Sequence, residues 1–210
     1  MKGNAYTLFY AGVLGAACAL LLTGVASFTA PYRSANADAD RKRNILTVLQ
    51  VPFPKNASSE ELVNIFKTNV REEKSDDLEI YRYVPAKGTG GKEAVAVHFD
   101  GPGLWGPIKG FLALDTDMRT IRGITFYEQE ETPGLGGEIA SDWFRKEFEG
   151  KKIVDSSGKP GLIIIKSGGQ QNAVNEVDAI SGATLTCDKV EDMINAIIET
   201  LAAKRDAYGK

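Results

Sequence analysis

The chain has 210 residues, with 25 Lys and Arg against 28 Asp and Glu and a formal net charge of −3. That balance, without a basic stripe interleaved with aromatic residues, excludes a nucleic-acid partner. One histidine (His98), two cysteines (Cys18 and Cys187) and no CxxC or CxxH spacing exclude a metal site built from soft or imidazole ligands, so any redox work requires a bound organic group.

From Gly3 to Tyr32 no side chain is charged, and YTLFYAGVLGAACALLLTGVASF (Tyr6 to Phe28) is mostly apolar. A helix of that length spans about 35 Å, enough to cross a bilayer. A cleaved signal peptide has a shorter apolar core, of about 7–15 residues. Gly15-Ala16-Ala17-Cys18 faintly resembles a lipoprotein cleavage site but has no leucine three before the cysteine. The segment therefore reads as an uncut anchor over residues 1–32. Only Lys2 and the terminal amine precede it, whereas Arg33, Arg41, Lys42 and Arg43 follow. By the positive-inside rule that count leans to a cytoplasmic domain, but Asp38 and Asp40 dilute the cluster and charge alone does not assign the side.

A membrane-proximal helical region follows over residues 33–92. DADRKRNILTVLQV predicts a short helix with Ile45, Leu46 and Leu49 on one face, which VPFPKN breaks through Pro52 and Pro54. SSEELVNIFKTNV opens with a capping-box pattern, Ser58 to Glu61, and repeats Leu62, Ile65 and Phe66 at helical spacing. REEKSDD reads as a solvated connector.

Strand-like runs come next: EIYRYV, EAVAVHF, IKGFLALD and TIRGITFYEQ. AKGTGGK and DTDMR supply turns between them. In EAVAVHFD, alternation sets His98 beside Ala94 and Ala96 on one strand face, a surface or half-buried residue. SDWFRKEFEG reads as a short helix ended by Gly150, and GLIIIKSGG as a strand stopped by glycines. DKVEDMINAIIETLAAK places Val190, Met193, Ile194, Ile197, Ile198 and Leu201 on one helical face, behind a second capping-box pattern, Asp188 to Glu191. The fold class that follows is α+β, a largely antiparallel sheet with flanking helices, plus one N-terminal transmembrane helix. No GxGxxG follows the first strand, so a Rossmann fold is not expected.

Three loops could make a site. DGPGLWGP (Asp100 to Pro107) is, alone, a structural corner before it is a binding loop. EQEETPGLGGE (Glu128 to Glu138) sets four carboxylates around a Pro-Gly turn, and reads equally as a solvated connector or as backbone made to approach a ligand closely. DAISGATLTC (Asp178 to Cys187) is either a turn into the last helix, with Thr186 or Asp188 as N-cap, or an anion site near the positive end of that helix.

Together, GPGLWGPIKGFLALDTD, ITFYEQEETPGLGGEIASDWF and DAISGATLT, in this order and spacing, resemble NqrC, the C subunit of the sodium-translocating NADH:quinone oxidoreductases. The G subunit of the Rnf complex is similar but more distant. The resemblance covers most of Ala94 to Leu201, while residues about Val51 to Gly91 match poorly and are shorter. The family's flavin-attachment pattern, Asp-x-x-Ser/Thr-Gly-Ala-Thr/Ser, falls without departure on Asp178, Ser181, Gly182, Ala183 and Thr184; Cys187 replaces a serine common after it. The resemblance implies a covalent FMN-binding domain over residues 93–210, with FMN carried by Thr184 through a phosphoester and installed by a separate flavin transferase that uses FAD. Leu185 and Thr186 are its neighbours. It also implies that Glu131, Thr132, Pro133, Gly134 and Leu135 lie around the ring or ribityl chain, that Leu104 and Trp105 form an apolar wall, and that Lys166 meets phosphate or ribityl oxygen.

The implied role is that of an electron carrier with no catalytic base or nucleophile of its own and no metal. An iron–sulfur centre in neighbouring membrane subunits would be the donor and the flavin of the B subunit the acceptor. The resemblance places the domain on the periplasmic side of the bacterial inner membrane, against the charge count. The competing readings are an Rnf-type subunit serving ferredoxin and NAD, a stand-alone extracytoplasmic reductase, for which no second domain is present, and an anchored non-redox binding module.

Overall fold

The computed structural model describes residues 2–75, 78–85, 91–166 and 173–203. The AKGTGGK turn, the end of the REEKSDD connector and the glycines after IIIK fall outside the described residues in whole or part. The chain separates into two compact units, Met1–Ala39 and Asp40–Lys210.

Helix α1 (Lys2–Val48) is one run, where the sequence suggested an anchor and then a separate short helix. Residues 32–48 contain no proline or glycine, so nothing stops the helix before Gln50, whose φ is 55°, and Pro52. In the first unit the side chains of Leu8, Phe9, Leu20, Leu21, Leu22 and Phe28 stand exposed, on a helix long and apolar enough to cross a membrane.

The second unit is built on a five-stranded antiparallel meander in sequence order. Its strands are β1 (Val70–Ser75), β2 (Leu78–Tyr83), β3 (Ala94–Pro102), β4 (Pro107–Asp115) and β5 (Ile121–Glu128). The sheet therefore runs unbroken across position 92. β1 corrects the connector reading of REEKSDD. Its main chain pairs with β2 from Val70↔Tyr83 to Ser75↔Leu78, while Arg71, Glu72, Glu73 and Lys74 stay in water. An edge strand tolerates a run of charges because only one of its sides is paired, and charges discourage further pairing there.

Both faces of the sheet are covered, and the alternation in β3 assigns them. Ala94 and Ala96 face a core containing Ile45 and Leu46 of α1, Leu49 just after it, and Leu62 and Phe66 of α2 (Ser59–Asn69). Val95, Val97 and Phe99 face the other core, with Phe144, Phe148, Val190, Ile194 and Ile198. The Ser58–Glu61 capping box forms as read. His98 is half-buried and its Nε2 lies 2.9 Å from the Tyr127 hydroxyl; burial holds its pKa below the ordinary value.

Helix α3 is short (Asp142–Lys146), and Gly150, with φ 77°, closes the turns beyond it rather than the helix itself. β6 (Ile163–Ile165) and β7 (Glu176–Asp178) make a parallel pair that the sequence did not suggest, since β7 has only three residues. Helix α4 (Thr184–Ala203) begins before the expected start, so Asp188–Glu191 is not a cap. Glu191 Oε2 instead accepts from Ile164 N at 2.5 Å. Asn195, one turn on, accepts from Leu162 N at 2.8 Å and donates to Leu162 O at 2.9 Å. Two helix side chains thus satisfy main-chain groups on and beside β6.

Ile194, fully enclosed in the core, ties α4 to the sheet. Ile194→Ala is expected to destabilise the protein by about 2–5 kcal/mol, read as a lower denaturant midpoint with unchanged slope.

Candidate functional site

The three loops converge on one open cleft. It is lined by Leu104 and Trp105 from the first, Glu131, Thr132, Leu135 and Gly136 from the second, and Gly182 to Thr186 from the third, with a volume of about 230 Å³.

The second loop is shaped by a type II turn. Leu135 N donates to Thr132 O at 3.1 Å, Pro133 occupies the second position, and Gly134 takes φ 75° at the third. That combination is the one proline and glycine favour. Pro133 and Gly134 therefore build the loop and do not line the cleft, whereas Thr132 and Leu135 on either side do.

Glu131 sits at the centre, 5% exposed. Its Oε1 accepts from Leu104 N at 2.7 Å and Trp105 N at 3.2 Å. Its Oε2 accepts from Thr186 Oγ1 at 2.7 Å. One carboxylate therefore holds all three loops. Both of its oxygens are thus engaged by protein donors while the residue lines the cleft. Gly136, which the sequence reading did not single out, makes this possible. A Cβ there would lie 2.5 Å from Thr186 Oγ1 and 2.8 Å from Glu131 Oε2, closer than real contacts allow. The signal available was the glycine pair after Leu135; the direction of approach was not readable.

The third loop separates its two hydroxyls. Thr184, the first residue of α4, is exposed on the cleft. Thr186 is 2% exposed and donates to Glu131, so it is neither cap nor free handle. Cys187 N bonds Ala183 O at 3.0 Å, which starts the helix there. The positive end of α4, a 20-residue helix, thus lies at Thr184 itself. Cys187 is buried, which pushes its thiol pKa up, and its Sγ accepts from Ile180 N at 3.4 Å.

Other candidates lie apart from the cleft. Asp178 ends β7 beside Ile165, with Oδ1 enclosed and no partner among the described residues. Ser181 is exposed and outside the lining, and Lys166 also lies outside it. No group of three or more metal-binding side chains occurs among the described residues.

Residues 103–199, which include every residue lining this cleft, match the FMN-binding domain family, a class of cofactor-binding domain. The chain is 42% identical over 119 residues to the C subunit of the Na(+)-translocating NADH-quinone reductase of Yersinia pestis, an alignment covering 56% of this chain but 44% of that protein. It thus spans less than half the length of that relative. With the corresponding protein of Pasteurella multocida it is 30% identical over 227 residues, covering 89% of this chain and 86% of the relative. The crystal structure of the C subunit from Parabacteroides distasonis superposes with a TM-score of 0.68 at 28% identity, covering 81% of this chain and 94% of that one. The chain belongs to the NqrC family, the C subunits of the Na(+)-translocating NADH-quinone reductases.

Glu131→Ala leaves up to three donors without their acceptor and is expected to cost about 2–4 kcal/mol. Gly136→Ala pushes a methyl into the same contact and should cost about 1–3 kcal/mol. Thermal unfolding of both variants checks this, and the double variant should cost clearly less than the sum, because both substitutions break one contact.

Proposed function

We propose that the chain is the electron-carrying flavoprotein subunit of a sodium-translocating NADH:quinone oxidoreductase, with FMN joined through its phosphate to Thr184 Oγ. The observation that carries this reading is the contrast between two hydroxyls two residues apart: Thr184 is exposed on the cleft at the head of α4, and Thr186 is buried and bonded to Glu131.

The residues present fit the group. The N–H groups and positive end of α4 suit a phosphate at Thr184. Leu104, Trp105, Leu135 and Leu185 are all more than 40% exposed and give the cleft an apolar rim for a flat ring. The cleft volume falls below the roughly 300–1,000 Å³ of pockets that enclose a drug-sized ligand. A flavin nucleotide would be cradled and not enclosed, and a tether removes the dissociation that an open cleft invites. In maturation, Thr184 Oγ would take the flavin-side phosphate of FAD, giving up its proton as the bond to the AMP half breaks.

When bound, FMN supplies the electron-transfer chemistry, and the protein binds and orients it. Among the described residues of the lining Glu131 is the sole ionisable one, so the cleft offers no free general base. The donor in this reading is an iron–sulfur centre of neighbouring subunits and the acceptor the flavin of the B subunit. The α1 segment anchors the chain in the bacterial inner membrane by a single pass, and the domain lies on the periplasmic side. Those partners and that orientation rest on the family resemblance.

Coexpressed with a flavin transferase, the wild-type chain should fluoresce under ultraviolet light on a denaturing gel, and Thr184→Ala should be dark. Fluorescence retained in Thr184→Ala overturns the attachment site.

A further inference from the structure

Glu131 is a buried acid with no cation. Among the described residues no lysine, arginine or histidine pairs with it, and its three partners are two main-chain N–H groups and a hydroxyl. Two of those partners, the main-chain N–H groups of Leu104 and Trp105, can only donate. Such neutral donors solvate the charge but do not cancel it. Most buried carboxylates are matched by a positive side chain, because a buried charge is otherwise costly.

The same carboxylate lines the cleft, next to Thr132, Leu135, Gly136 and Thr186. A charge held inside protein is screened far less than one in water. A fixed negative charge bordering a flavin opposes the arrival of an electron, and charge near the ring is one of the few means a protein has to set its potential. We propose that the Glu131 carboxylate holds down the reduction potential of the flavin in this cleft, a role that rests on the FMN reading above. Its hydrogen bonds to the loops fix where that charge stands; they do not remove it.

The site offers a clean way to separate charge from structure. In Glu131→Gln the side-chain carbonyl can keep accepting from Leu104 and Trp105, and the new amide can donate to Thr186 Oγ1, since a hydroxyl accepts as readily as it donates. The loops stay joined and only the charge is lost. Glu130, exposed in the same loop, is the control, because Glu130→Gln makes the same formal change in water.

The test is a redox titration of the covalently loaded full-length chain, followed by flavin absorbance, for wild type, Glu131→Gln and Glu130→Gln. The Glu131→Gln potential should move in the positive direction and keep most of that shift at high salt. Glu130→Gln should stay at the wild-type value, and the unfolding temperature of Glu131→Gln should lie far closer to wild type than that of Glu131→Ala. An unchanged potential, a negative shift or an equal shift in Glu130→Gln overturns the proposal. So does a Glu131→Gln chain that takes up no flavin, because the carboxylate would then serve loading. A wild-type chain that carries no flavin would instead sink the reading of the cleft itself.

Discussion

The hydrogen bonds of one carboxylate join segments remote in the chain: Glu131 reaches back 27 residues to Leu104 N and forward 55 residues to Thr186 Oγ1. Without it, the three loops, each with at least one glycine, would lose their common tie. With it, the walls of the cleft share one atom group. Hydrogen bonds to a charged acceptor are worth about 1.5–3 kcal/mol each, more than neutral ones. The absence of a side chain at Gly136 is part of the same device, because the carboxylate and the Thr186 hydroxyl occupy the space that a Cβ would need.

The scaffold beneath the loops explains why such a latch can be accurate. β3 and β4 pair from Ala94↔Asp115 to Pro102↔Pro107, so the first loop leaves a paired strand end. The second loop leaves β5, whose Ile124 and Phe126 are buried in the same core as Phe144 of α3. The third enters α4 directly, and that helix is packed on the same core through Val190, Ile194 and Ile198. Each wall of the cleft therefore continues an ordered element. A site built on such ends holds its geometry better than one built on free loops.

Much of this was legible in the sequence, and the failures share a cause. The alternation in AVAVHF and the 3.6-residue spacing in VEDMINAIIETL named the strands and the buried helix face, because burial selects those periods directly. β1 was hidden by its charges, since an edge strand exposing REEK shows no apolar alternation. α1 ran on because Pro31 sits inside the helix without ending it and residues 32–48 contain no proline or glycine to mark a boundary. α4 starts at Thr184, before both N-caps the sequence offered, Thr186 and Asp188, the second of which opens an S/T/D-x-x-E pattern. Glu191 in that pattern bonds β6, a long-range partner no local motif records. In the site, small and polar residues marked all three loops, and the Pro133-Gly134 turn was readable. Which loop residue turned inward was not, because side-chain direction depends on where each element begins. From the residues alone Glu131 was one of four carboxylates around a turn and Thr186 a cap, and only the family resemblance set them beside the site.

The stitching of α4 to the β6 segment has a mechanical consequence. Glu191 and Asn195 grip main-chain groups of Ile164 and Leu162 from successive turns of the helix. Any piston-like slide of the helix by one turn, about 5.4 Å, would unpair both grips at once. Thr184 stands at the tip of that rod, so its distance from the small parallel ribbon is set by two anchors and resists gradual creep. A group joined to its oxygen would inherit that fixed length.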